Sequence, residues 1–177
     1  MNVSVRELEP HDTPYVVDYF KKGDPQFLKG MGVAIEKLPD RHDWIDLING
    51  QLELDYPEKE FYYIIWQVDE QPVGHSNINK ITFGKEAYMH LHLWPSEQRQ
   101  QGLGSEFVRK TIPYYFSNFE LERLYCEPNA YNPAPNKTLK KVGFEFIQTY
   151  QPPAGWINFP QELNSYVITK QELDLRI

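Results

Sequence analysis

The sequence predicts an α/β protein of the α+β kind, with a mixed, mostly antiparallel twisted sheet and helices on both faces, and three observations carry that reading. Between residues 61 and 94, the runs FYYIIWQV, VGHSNINKI and AYMHLHLW follow one another with the polar turn DEQP after the first. Such β-branched and aromatic runs form an antiparallel meander. From residue 102 onward, helical and strand patterns alternate instead, which calls for helices covering a sheet. Finally, 177 residues with 41% hydrophobic and 15% aromatic content suit one core, so residues 1–177 are read as a single domain.

Val3 and Val5 alternate with polar residues and read as a first strand. Asp12 or Thr13 before Pro14 reads as the cap and first turn of a helix faced by Tyr15, Val16, Tyr19 and Phe20. Residues 21 to 39 carry Gly23, Pro25, Gly30, Gly32 and Pro39, which break any period, so a loop is expected. Trp44, Ile45, Ile48 and Leu52 recur at helical spacing and mark a second helix with an acidic outer face. After Gly102-Leu103-Gly104 a third helix presents Leu103, Phe107, Ile112, Tyr115, Phe116 and Phe119, and Pro113 is expected to break or kink it. Leu121 to Cys126 reads as a short strand. Asn132-Pro133 reads as a cap with a first-turn proline, and Gly143 ends the helix that follows. Residues 144–148 and 166–169 supply closing strands.

The formal charge of -7 argues against nucleic acid, whose phosphates need clustered Lys and Arg. A cationic partner is more natural. Asp43, Asp46, Glu53, Asp55, Glu58 and Glu60 are either an attractor for such a partner or a solvated helix face. The lone cysteine, Cys126, has no internal disulfide partner, the N-terminus lacks a signal-like apolar core, and no apolar run approaches bilayer-spanning length. The expected location is the cytoplasm, away from membranes.

One segment carries chemistry: MHLHLWPSEQRQQGLGSEF, in which a strand runs into RQQGLG and then into a helix. Glycines at 102 and 104 open the backbone, and a helix start offers unpaired N–H groups with partial positive charge, so a pyrophosphate fits there. A nucleotide P-loop would need Lys-Ser or Lys-Thr after the second glycine, where Ser105-Glu106 stands. His90 and His92 lie two apart on one strand and share a face, and histidine suits proton transfer near neutral pH. Alternatively, these two are hydrogen-bonded strand residues, or with His75 they ligate a metal.

Arg99-Gln100-Gln101-Gly102-Leu103-Gly104 resembles the cofactor loop of the Gcn5-related N-acetyltransferase (GNAT) family, written Arg/Gln-x-x-Gly-x-Gly/Ala. The strand LYCEP, then Asn132 at a helix head, then KKVGFEF resemble the second half of that family's pattern. RimJ/RimL-type and aminoglycoside 6'-acetyltransferase-like members are the similar ones. The resemblance implies the acyl-CoA N-acyltransferase fold and acetyl-CoA as co-substrate, with no metal. It implies transfer of an acetyl group to a primary amine of a small molecule or a protein N-terminus, by direct attack in a ternary complex. It places the pyrophosphate on Gln100 to Ser105, with charge from Arg99, and pantetheine on backbone groups of His92, Leu93 and Trp94. Asn132, with Asn136 as a second candidate, would contact pantetheine. His90 is the first choice of base, with His92 beside it. The family's usual acid, a tyrosine, is replaced by Leu139, and Tyr131 is a substitute. That loss leaves open a non-catalytic acyl-CoA sensor. Homodimers are common in the family and stand as an expectation.

Overall fold

In the computed structural model, residues 1–94 and 102–174 are described. The sheet contains β1 (Val3–Glu7), β2 (Tyr62–Val68), β3 (Gln71–Thr82), β4 (Glu86–Leu93), β5 (Arg123–Cys126), β6 (Glu145–Tyr150) and β7 (Leu163–Thr169). Their order is β1-β2-β3-β4-β5-β7-β6, and of these neighbours only β4 and β5 pair in parallel. The helices are α1 (Thr13–Lys21), α2 (Pro25–Gly30), α3 (Arg41–Leu52), α4 (Leu103–Phe119), α5 (Pro133–Val142) and α6 (Lys170–Asp174). The β2–β3 hairpin turns through Asp69 and Glu70, both with positive φ, which is the two-residue turn that matches strand twist.

Strand alternation divides the sheet's side chains between two cores. On one face Ile64, Trp66, Ile78, Met89 and Leu124 meet α4 and α5, where the Trp66 and Phe107 rings stack 4.9 Å apart and Trp66 Nε1 donates to Thr111 Oγ1. On the other face Ile65 packs with Val16, Val17 and Phe20 of α1 and Trp44 and Ile48 of α3. Each fully buried side chain of this size contributes roughly 1.5–3 kcal/mol of transfer free energy.

Four local expectations are corrected. Residues 21–39 are not all loop, because Asp24 caps Gln26 and Phe27 and Pro25 is the first residue of α2, a pairing that starts helices. Pro113 does not break α4, which runs unbroken over 103–119. Asp12 stands before α1 without capping it: its buried carboxylate accepts from Arg6 at 2.6 and 2.9 Å and from the Glu9 amide. Asn132 precedes α5 but its side chain makes no capping bond.

Two glycines give opposite expectations. A Cβ at Gly74 would collide with the His92 carbonyl oxygen, so Gly74→Ala should destabilise by about 1–3 kcal/mol in denaturant unfolding. At Gly50, on the open side of α3, an added Cβ would meet nothing within 4 Å, so Gly50→Ala should stabilise by about 0.5–1 kcal/mol.

Candidate active site

The site begins where β4 and β5 part. Their pairing stops at Met89↔Cys126, yet β4 continues alongside β3 as far as Leu93 opposite Gly74. Beyond Cys126 the chain follows β7 instead: the Pro128 carbonyl accepts from the Asn164 amide at 3.0 Å, and the Ala130 amide donates to Glu162 at 2.9 Å. Proline has no N–H with which to continue toward β4. The Trp94 amide donates to Val73, so even-numbered residues at this end of β4 bond to β3 rather than facing the gap. Leu91 and Leu93 turn their peptide groups the other way, toward the gap.

Helix α4 follows β4 in the chain, and its start packs against α5. Gly102 stands before α4 with φ of +78°, a conformation that favours glycine, and no side chain among the described residues caps the helix. Its first N–H groups are thus oriented outward with the positive end of the helix dipole. Leu103 and Ser105 are buried, and Gly104 faces α5, where a Cβ would lie 3.3 Å from Thr138 Oγ1. Gly104 consequently serves close helix packing, and the open side belongs to Gly102. Arg99, Gln100 and Gln101 lie outside the described residues.

On the α1/α3 face, next to the gap, a cavity of about 490 Å³ is lined by His75, Asn77, His90 and His92, by Asn132, and by the segment around Trp156. Segment 31–34 closes against segment 157–159 through bonds from the Ala34 amide to Ile157 and from the Phe159 amide to Gly32.

The three histidines differ in their surroundings. Trp94 Nε1 donates to His75 Nδ1 at 2.8 Å, which fixes the His75 proton on Nε2 and keeps the ring neutral. His75 and His92 stack with centroids 4.7 Å apart, and His75 Nε2 and His92 Nδ1 are buried with no partner among the described residues. Burial, with the neighbouring imidazoles, holds His75 far below the usual histidine range and brings His92 to about 3. His90 is exposed to the cavity, and its Nε2 lies 3.0 Å from Asn79 Oδ1. With the amide so oriented, Nε2 carries the proton and Nδ1 keeps its lone pair. Desolvation by the surrounding walls, and then the Lys80 charge, lower its pKa to about 4. Its open side tempers that loss of water, and the direction, toward the neutral ring, is what the chemistry uses.

Other expected residues are placed elsewhere. Tyr131 is 77% exposed, its hydroxyl donates to Glu162, which raises its pKa, and it does not line the cavity. Asn136 is buried and its amide is fully committed: it donates to Asn129 and Asn132 and accepts from Asn164 and Tyr166. Leu139 lies in the core beneath α5. Asp43, Asp46, Glu53, Asp55, Glu58 and Glu60 do not line this cavity. Among the described residues no group of three His, Cys, Asp or Glu converges to hold a metal, and no helix is long and apolar enough to cross a membrane.

Glu127, which the sequence did not single out, is a carboxylate on the cavity wall. The stacked Tyr88 and Tyr125 rings mark the last shared row on this face, so His90 and Glu127 are the next residues on either side of the gap. Glu127 accepts from Tyr150 at 2.9 Å on both oxygens and from Ser165 at 2.8 Å, which fixes its position.

The acetyltransferase (GNAT) domain family matches residues 2–145, and the chain belongs to that family. No curated protein matches it in sequence. Among solved structures, it is similar to RimL, a ribosomal L7/L12 alpha-N-protein acetyltransferase in complex with coenzyme A, with a TM-score of 0.79 and 13% identity over 97% of this chain and 96% of that one. A spermidine N-acetyltransferase from Vibrio cholerae bound to coenzyme A and spermine has a TM-score of 0.78 and 13% identity, with 97% of each chain covered. The aminoglycoside acetyltransferase AAC(6')-Ib with coenzyme A has a TM-score of 0.74 and 17% identity, with 98% of each covered. At these identities the likeness is one of fold.

The depressed histidines link stability to pH. Between the ordinary value of 6.5 and about 4 for His90 or 3 for His92, the unfolded chain binds protons that the folded chain excludes. Stability is therefore full above that window and falls as the pH drops through it. Thermal unfolding should read a lower Tm at about pH 5 than at about pH 7.5, and His92→Gln should narrow the difference.

Proposed function

We propose that this protein transfers an acetyl group from acetyl-CoA to a primary amine, on a small molecule or a protein N-terminus, by direct attack in a ternary complex. The observation that carries the reading is the gap between β4 and β5, with the Leu91 peptide turned outward on one edge, together with a start of α4 that no side chain among the described residues caps. Bound acetyl-CoA supplies an activated thioester, and its reaction with an ammonium yields amide, free thiol and one proton. The first turn of α4 would hold the pyrophosphate, as helix starts hold anions. Leu91 would bond the pantetheine arm as an added strand does, with Asn132 free of capping duty to assist.

Glu127 would attract the ammonium, and His90, neutral in the working pH range, would take the amine proton through Nδ1 and pass it to water. Neutral at the outset, the ring has its Nδ1 lone pair available to accept. The pH profile of kcat/KM should therefore lack an inflection near the ordinary histidine value of 6.5 and follow the ionisation of the amine. Leu139 in the core supports a second reading, acyl-CoA binding without turnover.

A thiol-release assay over an amine panel separates the two: release establishes transfer, whereas acetyl-CoA binding without release favours the sensor. In that assay His90→Ala should lower kcat about 100-fold and leave the KM for acetyl-CoA within about twofold. Glu127→Gln should act chiefly on the KM for the amine.

A further inference from the structure

If acetyl transfer to an amine is the reaction, as proposed above, the cavity that receives the amine has a composition that restricts its substrate. Among the described residues only two formal charges line it, Lys80 and Glu127. They cancel, and Glu127 is already bonded to Tyr150 and Ser165. A substrate with three or four ammonium groups would leave most of them without a carboxylate partner among these residues.

Aromatic rings form one part of the remaining wall, beside the neutral amides of Asn77, Asn79, Asn129, Asn132, Asn158 and Gln161. Phe20 and Trp44 lie 5.3 Å apart, and Trp44 meets Trp156 edge-on at 6.0 Å. Tyr63 and the neutral His75–His92 stack continue that surface toward β4. Trp156 is 61% exposed although it borders the cavity, and an indole left open at a cavity mouth is suited to covering a flat ligand.

We propose that the acceptor is a small monoamine with an aromatic or flat apolar body, whose single ammonium reaches Glu127 and His90 while the body lies against the open face of Trp156. Polyamines and aminoglycosides, with several ammonium groups for one lining carboxylate, are disfavoured by the same count of charges. The proposal concerns specificity within the site and adds no step to the reaction.

The test uses the full chain with acetyl-CoA and compares 2-phenylethylamine with spermidine, kanamycin and a short peptide bearing a free N-terminus. The expected result is a kcat/KM for 2-phenylethylamine at least about 100-fold above those for spermidine and kanamycin. Trp156→Ala, at an exposed position that the fold tolerates, should raise the KM for 2-phenylethylamine roughly tenfold and leave that for acetyl-CoA unchanged. Quenching of tryptophan fluorescence by 2-phenylethylamine in the presence of coenzyme A reads binding without turnover. Spermidine, kanamycin or the peptide turning over as well as 2-phenylethylamine overturns the proposal and leaves acetyl transfer standing. Thiol release from none of them, with 2-phenylethylamine still quenching, removes the transfer reading but keeps the aromatic site. Absence of both signals removes the site.

Discussion

Two neighbouring strands, β4 and β5, share four paired rows and then diverge, and the rest of the site is arranged around that divergence. On one side β4 is held straight by β3, with Trp94 and Val73 bonded at the end of the ladder. On the other side Pro128 and Ala130 bond to the β7 side of the sheet and draw the chain away. Neither strand can close the gap without giving up hydrogen bonds, each worth about 1 kcal/mol net and more when a buried group is left unpaired. A groove edged by the outward Leu91 peptide is thus a fixed property of the fold.

The groove also sets the electrostatics. The start of α4, which no side chain among the described residues caps, presents N–H groups and the positive end of the helix dipole, which favour an anion. The α1/α3 face is packed with aromatic rings, and it keeps His75 and His92 neutral by removing water from them. With those rings uncharged, Glu127 and Lys80 are the charged side chains that line the cavity among the described residues. Glu127 stands across the gap from His90, which is why it is proposed to receive the ammonium.

Much of this was legible in the chain. The meander was visible in FYYIIWQV and AYMHLHLW because β-branched and aromatic runs set off by a polar turn are a strong strand signal, and α4 and α5 were visible because glycine and proline punctuate them. The His90-x-His92 pair declared a shared face by spacing alone. What stayed hidden depends on contacts distant in sequence. Asp12 looked like a cap but serves Arg6 from a neighbouring strand, and Asn136 looked like a ligand contact but ties α5 to the 129–132 turn and β7. Glu127 was passed over because its place opposite His90 follows from the parallel register of β4 and β5, which no local pattern encodes. Proline misled in both directions: Pro25 begins a helix and Pro113 fails to end one.

The Leu91 peptide is oriented toward an open groove, the edge proposed to take up a pantetheine arm. Amide hydrogen exchange measured residue by residue, with and without acetyl-CoA, addresses this directly. In the free protein the Leu91 amide should exchange faster than those of His90 and His92, which bond to β3, and acetyl-CoA should slow it markedly. Equal protection of all three in the free protein, or no change at Leu91 with saturating acetyl-CoA, would contradict the account.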